Sequence, residues 1–353
     1  MSGKIVMIGS MKGGVSKTVT TFNLAYSLSK LGKKVLAVDF DSQANLSTCL
    51  GVENVTAVPV TIGNLMLAQI EEEELPERSE YIQTRNGVDY ISSSMVLSAV
   101  DAKLRLEMGS EKMLSDILET LRDSYDYILI DTSPSLGALT INAMSAADEV
   151  LITVNPQLLA MMGLQDFLKT VKKIKNRINS RLSVAGILLT MCDSRTNLCK
   201  VITEEVTETF EGQIKIFESM IPNTVKVGES VYYSEPLVEY APDSKAFRPM
   251  NGKLNFSTLD VQDGEGNVDS FEPESKKYSN ADTYIRLLKD LGDYVTEHYP
   301  KYAKYVELIN LLGSEYDMKT ASQIMGKADS TLYDWVKRLR PIYDEFRETV
   351  DYL

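Results

Sequence analysis

Lys12-Gly13-Gly14-Val15-Ser16-Lys17-Thr18 follows an apolar run at residues 4–9 and opens a helical pattern in which Phe22, Leu24, Ala25, Leu28 and Leu31 share one face. No other stretch restricts the fold as tightly. An apolar strand, a glycine turn and Lys-Thr at a helix start describe a phosphate cradle. Backbone N–H groups surround the β-phosphate and the helix N-terminus adds positive potential, while Lys17 is placed to bridge β/γ oxygens and Thr18 to ligate Mg²⁺.

The loop departs from the common Walker A pattern, with Met11 where its first Gly stands and Ser16 where Gly precedes the lysine. It resembles Lys-Gly-Gly-x-Gly-Lys-Thr, the deviant Walker A of the ParA/MinD family of ATPases. That resemblance implies ATP and Mg²⁺ as cofactors, with Gly13, Gly14, Val15, Ser16, Lys17 and Thr18 around the nucleotide. It also implies a homodimer in which Lys12 reaches across the interface to the partner's nucleotide. Ser16 departs from the family too, and its Cβ is placed to crowd the phosphates or to shift the loop. Gly13-Gly14 alone would fit a plain strand-to-helix turn, and Lys12, Lys17 and Thr18 at family spacing weigh against it.

With 353 residues and 44% hydrophobic content, the chain has room for one large α/β domain and a small appendage. No apolar run of membrane-spanning length and no basic-then-apolar leader occurs, so the expected location is cytoplasmic, and the resemblance implies association with nucleoid or plasmid. Cys49, Cys192 and Cys199 lack CxxC spacing, which argues against disulfides and zinc. A net charge of −13 confines any DNA contact to a local basic patch.

Farther along, Gly32 closes the first helix and residues 35–40 read as a buried parallel strand. It runs into Asp39-Phe40-Asp41-Ser42-Gln43-Ala44-Asn45, which resembles the family's Asp-x-Asp-Pro-Gln-x-Asn with Ser42 for Pro. A carboxylate at a strand's C-terminal edge sits where α/β sheets place functional groups. By resemblance Asp41 organises the attacking water, and its alternative is a helix cap or loop acid. Residues 58–84 read as a helix and a solvated acidic loop. A short strand at 88–92 and helices at 96–107 and 110–123 lead to Tyr127-Ile128-Leu129-Ile130-Asp131-Thr132-Ser133-Pro134. By resemblance, Asp131 holds Mg²⁺ through its water and residues 132–137 form a switch responsive to the γ-phosphate. A buried strand ending in a capping Asp is the alternative.

Strands at 150–154 and 184–190 flank a helix at 163–174. The segment 221–226 aligns with a stretch where family members carry basic residues that hold DNA; here Asn223 replaces one and Lys226 keeps a charge. Alternating strands and amphipathic helices predict a doubly wound, mostly parallel sheet of P-loop NTPase type with a small helical C-terminal appendage. The expected domains are 1–299, with a surface insertion at 248–279 read as a β-hairpin, and a helical tail at 300–353.

Within that tail residues 320–340 resemble a helix-turn-helix. Gly326 fits the turn, four positions after Ser322; Ile324, Met325, Leu332 and Trp335 are expected in a shared core. Thr331, Tyr333, Asp334, Lys337 and Arg338 are candidates for the major groove, and Lys327 and Arg340 for phosphates. Seven Lys/Arg stand against five Asp/Glu between Lys301 and Arg340, a local net of +2. An ordinary helical hairpin is the alternative.

The resemblance implies a partition ATPase of the ParA/Soj type, whose ATP-bound dimer holds DNA and is reset by hydrolysis under a ParB-like, centromere-binding partner. A nucleotide-regulated transcriptional regulator without partition activity is the second reading. No membrane partner is expected, because residues 344–353 form an acidic end, unlike the basic amphipathic helix of a MinD-type switch.

Overall fold

A computed structural model describes residues 2–107, 109–157, 160–193, 197–210, 212–242 and 291–308, with short stretches between 323 and 345. The chain divides into two compact units, Met1–Glu272 and Pro273–Leu353.

Among the described residues, seven strands and eleven helices of the first unit position its site. In chain order these are β1 (Lys4–Gly9), α1 (Lys17–Lys30), β2 (Val35–Phe40), α2 (Asn45–Cys49), α3 (Ile62–Ile70) and α4 (Arg78–Tyr81). Next come β3 (Ile82–Arg85), β4 (Val88–Ile91), α5 (Val96–Leu104), α6 (Met113–Glu119), β5 (Tyr127–Thr132) and α7 (Ala138–Ala146). The unit continues with β6 (Glu149–Val154), α8 (Ala160–Arg177), β7 (Ser183–Leu189), α9 (Asn197–Phe210), α10 (Val225–Tyr232) and α11 (Leu237–Tyr240). The strands form one sheet in the order β3-β4-β2-β5-β1-β6-β7. All neighbours pair in parallel except β3 with β4.

Both sheet faces are covered, which is why the central strands are uninterrupted apolar runs rather than alternations. Ile5, Met7, Leu36, Val38 and Phe40 point into one core cluster, with residues of α3 and α5 to α9. Val6, Ile8, Val35 and Ala37 point into the other, beneath α1 and α2. Each of these Val, Leu, Ile, Met and Phe side chains contributes about 1.5–3 kcal/mol on full burial. The expected doubly wound sheet is therefore present.

One strand differs from the sequence reading. Residues 82–84, expected within a helix and acidic loop, belong with Arg85 to β3, which returns through Asn86-Gly87 to β4 with Arg85 opposite Val88. Asn86 (φ 49) and Gly87 (φ 77) are both left-handed, as a two-residue hairpin turn of the I′ kind requires. The partial exposure of β3 hid the strand, and the Asn-Gly pair was its signal.

The unit boundary also falls earlier than residue 299. Leu291 and Val295 bury against Tyr305, Leu339 and Ile342, so these helical residues belong to the core of the tail. Leu332 is buried with Leu308 beside Met325 and Trp335, and Gly326 takes a left-handed turn (φ 60). Ile324 is a correction: expected in that core, it is 51% exposed. The hairpin expected at 248–279 lies outside the described residues, as do Ser322, Tyr333, Lys337 and Arg340. No helix among the described residues is long and apolar enough to cross a membrane.

Candidate active site

The parallel ladders bring the C-terminal ends of β1, β2 and β5 side by side, with Ile8 opposite Asp131 and Asp39 opposite Asp131. The glycine loop leaves β1 at that edge. A Cβ on Gly9 would fall 2.6 Å from the Phe167 ring, so the strand end needs glycine to pack under α8. Gly14 has φ 67 with nothing within 4 Å of where its Cβ would be, leaving open space over the loop. Ser16, at the N-cap of α1, has φ 59 and ψ 27. The loop thus keeps the glycine-like conformation and the serine absorbs the strain, of roughly 1–2 kcal/mol.

Lys17 is buried at the start of α1, and its Nζ donates to the Lys12 carbonyl oxygen at 3.2 Å. Burial lowers its pKa, while Asp131 and Asp41 oppose that shift. Asp131 is fully buried at the end of β5. Burial, then the neighbouring Asp39 carboxylate, pushes its pKa up to about 8 against the Thr18 hydroxyl and Lys17, which favour the charged form. Its Oδ1 accepts from Thr21 Oγ1 at 3.4 Å, and its Oδ2 has no hydrogen-bond partner among the described residues. Asp39 is held by Ser47, whose N–H and hydroxyl each donate to Oδ2 at 2.7 Å. Burial nevertheless raises its pKa to about 6. Asp41 sits two residues farther on, and its Oδ1 accepts from the Gln43 N–H at 3.0 Å in a local turn.

The segment after β5, expected as a switch, lies against the loop. A Cβ on Gly13 would meet Pro134 at 3.8 Å, and Thr132 Oγ1 donates to the Ile8 carbonyl at 2.8 Å. On the other side Thr190, just past β7, donates from Oγ1 to the Val15 carbonyl at 3.0 Å. Lys12 is exposed and its Nζ donates to Gln157 Oε1. A buried lysine, a hydroxyl at the helix start and a buried carboxylate with an unsatisfied oxygen form a donor set that fits a polyphosphate with a hydrated divalent cation.

Asp39, Thr21, Ser47, Gln157 and Thr190 were given no role by sequence reasoning. Thr21, one helical turn after Lys17, and Asp39, on the same strand face as Asp41, carried a spacing signal. Lys226 is exposed at the start of α10, but its Nζ pairs with Glu229 at 2.8 Å and lies 5.5 Å from the Tyr240 ring centre. In the tail Lys327 and Thr331 are exposed, and Arg338 pairs with Asp334 at 2.8 Å.

Residues 3–184 match the AAA domain family. The sporulation initiation inhibitor protein Soj of Bacillus subtilis is 36% identical over 243 residues, covering 69% of this chain and 93% of that protein. The chain belongs to the ParA/Soj family. A second member, the chromosome partitioning protein ParA of Myxococcus xanthus, is 37% identical over 69% of this chain and 83% of its own length. Among solved structures, cobyrinic acid a,c-diamide synthase from Mycobacterium smegmatis with bound ATP analog and magnesium superposes with a TM-score of 0.58 at 28% identity, covering 68% of this chain and 96% of that one. The ParA/Soj fold is thus shared with a protein named for a different activity, and function has to be argued from the site.

Proposed function

We propose that this chain is an ATPase of DNA partition in which ATP binding joins two copies and hydrolysis parts them. The observation that carries the reading is Lys17, buried between the Lys12 carbonyl and the Asp131 and Asp41 carboxylates at the mouth of the glycine loop. In this reading Gly13, Gly14, Val15 and Ser16 turn the loop's N–H groups toward the β-phosphate, and Lys17 shifts from the Lys12 carbonyl to the β/γ oxygens. Thr18 would ligate Mg²⁺ and Asp131 would help hold it, and the ion would supply positive charge to offset that of the phosphates.

Asp41 orients the attacking water, and Thr132, Pro134 and Gly137 report the state of the γ-phosphate to the rest of the molecule. Lys12 leaves Gln157 to neutralise phosphate charge in the opposite protomer. Membership of the ParA/Soj family supports a ParB-like, centromere-binding partner that stimulates hydrolysis, and a location on nucleoid or plasmid DNA. DNA contact falls to the tail, around Lys327, Thr331, Lys337, Arg338 and Arg340. Lys226 is a weaker candidate because Glu229 already pairs with it.

The turn at Gly326 and the burial of Leu332 with Leu308 also favour a second reading, a nucleotide-regulated transcriptional regulator that uses a helix-turn-helix without partition activity. Light scattering with ATP·Mg²⁺ or ADP·Mg²⁺ tests the first reading. It expects a dimer with ATP alone and a monomer for Lys12→Ala under both conditions. A Lys12→Ala protein that dimerises like wild type removes the cross-interface role. Loss of a test plasmid in cells that lack the protein separates partition from transcriptional control.

A further inference from the structure

Pro300–Tyr305, with the sequence Pro-Lys-Tyr-Ala-Lys-Tyr, is a 3-10 helix. Three residues per turn eclipse positions i and i+3, so Lys301 and Lys304 share one edge while Tyr302 and Tyr305 share another. The tyrosine edge is packed. Tyr305 is 2% exposed, its ring lies 4.5 Å from Trp335 and 5.5 Å from Tyr302, and it buries with Leu339 and Ile342. The lysine edge is open. Lys301 and Lys304 are exposed, with Nζ atoms 4.9 Å and 5.2 Å from the ring centres of Tyr302 and Tyr305. Neither forms an ion pair among the described residues, in contrast to Lys226 and Arg338.

We propose that Lys301 and Lys304 grip two phosphates of one strand of duplex DNA. A rise of about 2 Å per residue sets them roughly 6 Å apart along the helix, one pair of point charges facing the same way. The tilted contact of Tyr305 with Trp335 ties this short helix to the helical stretch in which Thr331 and Arg338 also lie. Lysine suits a phosphate because it is a compact charge with rotatable donors, and such contacts fix position without reading sequence. The inference rests on the reading of the tail as the DNA-binding element.

The test uses the full chain with ATP and a short duplex of arbitrary sequence, with affinity measured between about 50 and 200 mM salt. Lys301→Ala/Lys304→Ala should flatten the log–log salt slope by about 1.8, that is about 0.9 for each phosphate no longer neutralised. Lys301→Arg/Lys304→Arg, which keeps both charges, should retain the wild-type slope, so a folding defect is told apart from removal of the two charges. An unchanged slope in the alanine variant overturns the inference. If Arg338→Ala still weakens binding in that case, the tail remains the DNA-binding element and only the lysine pair is wrong. If neither variant changes DNA affinity, the tail reading falls with it.

Discussion

Asp39 and Asp131 stand opposite each other across the β2–β5 ladder, and both carboxyl groups are fully buried. Burial, with a smaller push from Asp41, raises the Asp39 pKa to about 6, and burial followed by the neighbouring Asp39 raises the Asp131 pKa to about 8. For an acid whose folded pKa is raised, the folded state holds the proton more tightly than the unfolded chain. The stabilisation is then complete below the unfolded pKa, near 4, and is lost as pH rises through the folded value. The nucleotide-free protein should therefore lose stability between about pH 4 and pH 8 on this pair's account. Urea midpoints across that range check it, and Asp131→Asn should flatten the upper part of the curve. A midpoint that rises steadily with pH in wild type and variant alike would contradict the assignment.

Ser16 occupies a left-handed conformation that costs a residue with a Cβ roughly 1–2 kcal/mol, whereas glycine adopts it freely but loses about 0.5–1 kcal/mol through its more flexible unfolded chain. Ser16→Gly should raise stability by up to about 1.5 kcal/mol on balance. Thermal melting of the two proteins measures this. A clear drop in melting temperature would mean that the serine side chain makes a stabilising contact.

Asp41 and Lys17 should separate binding from turnover. Asp41→Ala is expected to bind ATP with near wild-type affinity and to hydrolyse it on the order of 10²–10⁴-fold more slowly, because a water-orienting carboxylate acts in the transition state. Lys17→Ala should fail at binding itself. Equilibrium titration beside a phosphate-release assay distinguishes the two. Equal turnover by Asp41→Ala would leave Asp41 only its turn-forming bond to Gln43.

Removing the tail tests where one unit ends. A chain cut after Glu272 should stay monodisperse and bind ATP but lose most DNA affinity. Cutting at residue 300 instead strips Tyr305, Leu339 and Ile342 from Leu291 and Val295, leaving an apolar face without cover. Size-exclusion chromatography should show aggregation only for the longer fragment. Full DNA affinity in the shorter one would place the DNA contact elsewhere.

The strands at the centre of the sheet were legible because burial on both faces forces continuous apolar sequence, and the glycine loop was legible because its spacing is local. The Asp39–Asp131 pairing was not. It depends on β2 lying next to β5, a strand order that neither segment encodes alone. The Lys12–Gln157 and Thr190–Val15 bonds were invisible for the same reason, joining residues 145 and 175 positions apart. Ile324 misled in the opposite direction, since an apolar residue at helical spacing does not reveal which side of a short helix finds a neighbour.

The bond from Thr190 to the Val15 carbonyl bears on the order in which the protein becomes competent. A ribosome exports the glycine loop well before β7, yet one of the loop's fastenings arrives only after β7 has emerged and docked at the edge of the sheet. Contacts of such sequence separation form late and slowly. A nascent chain that has the whole loop but not yet Thr190 lacks this support, so nucleotide affinity should mature during synthesis rather than appear as the loop emerges.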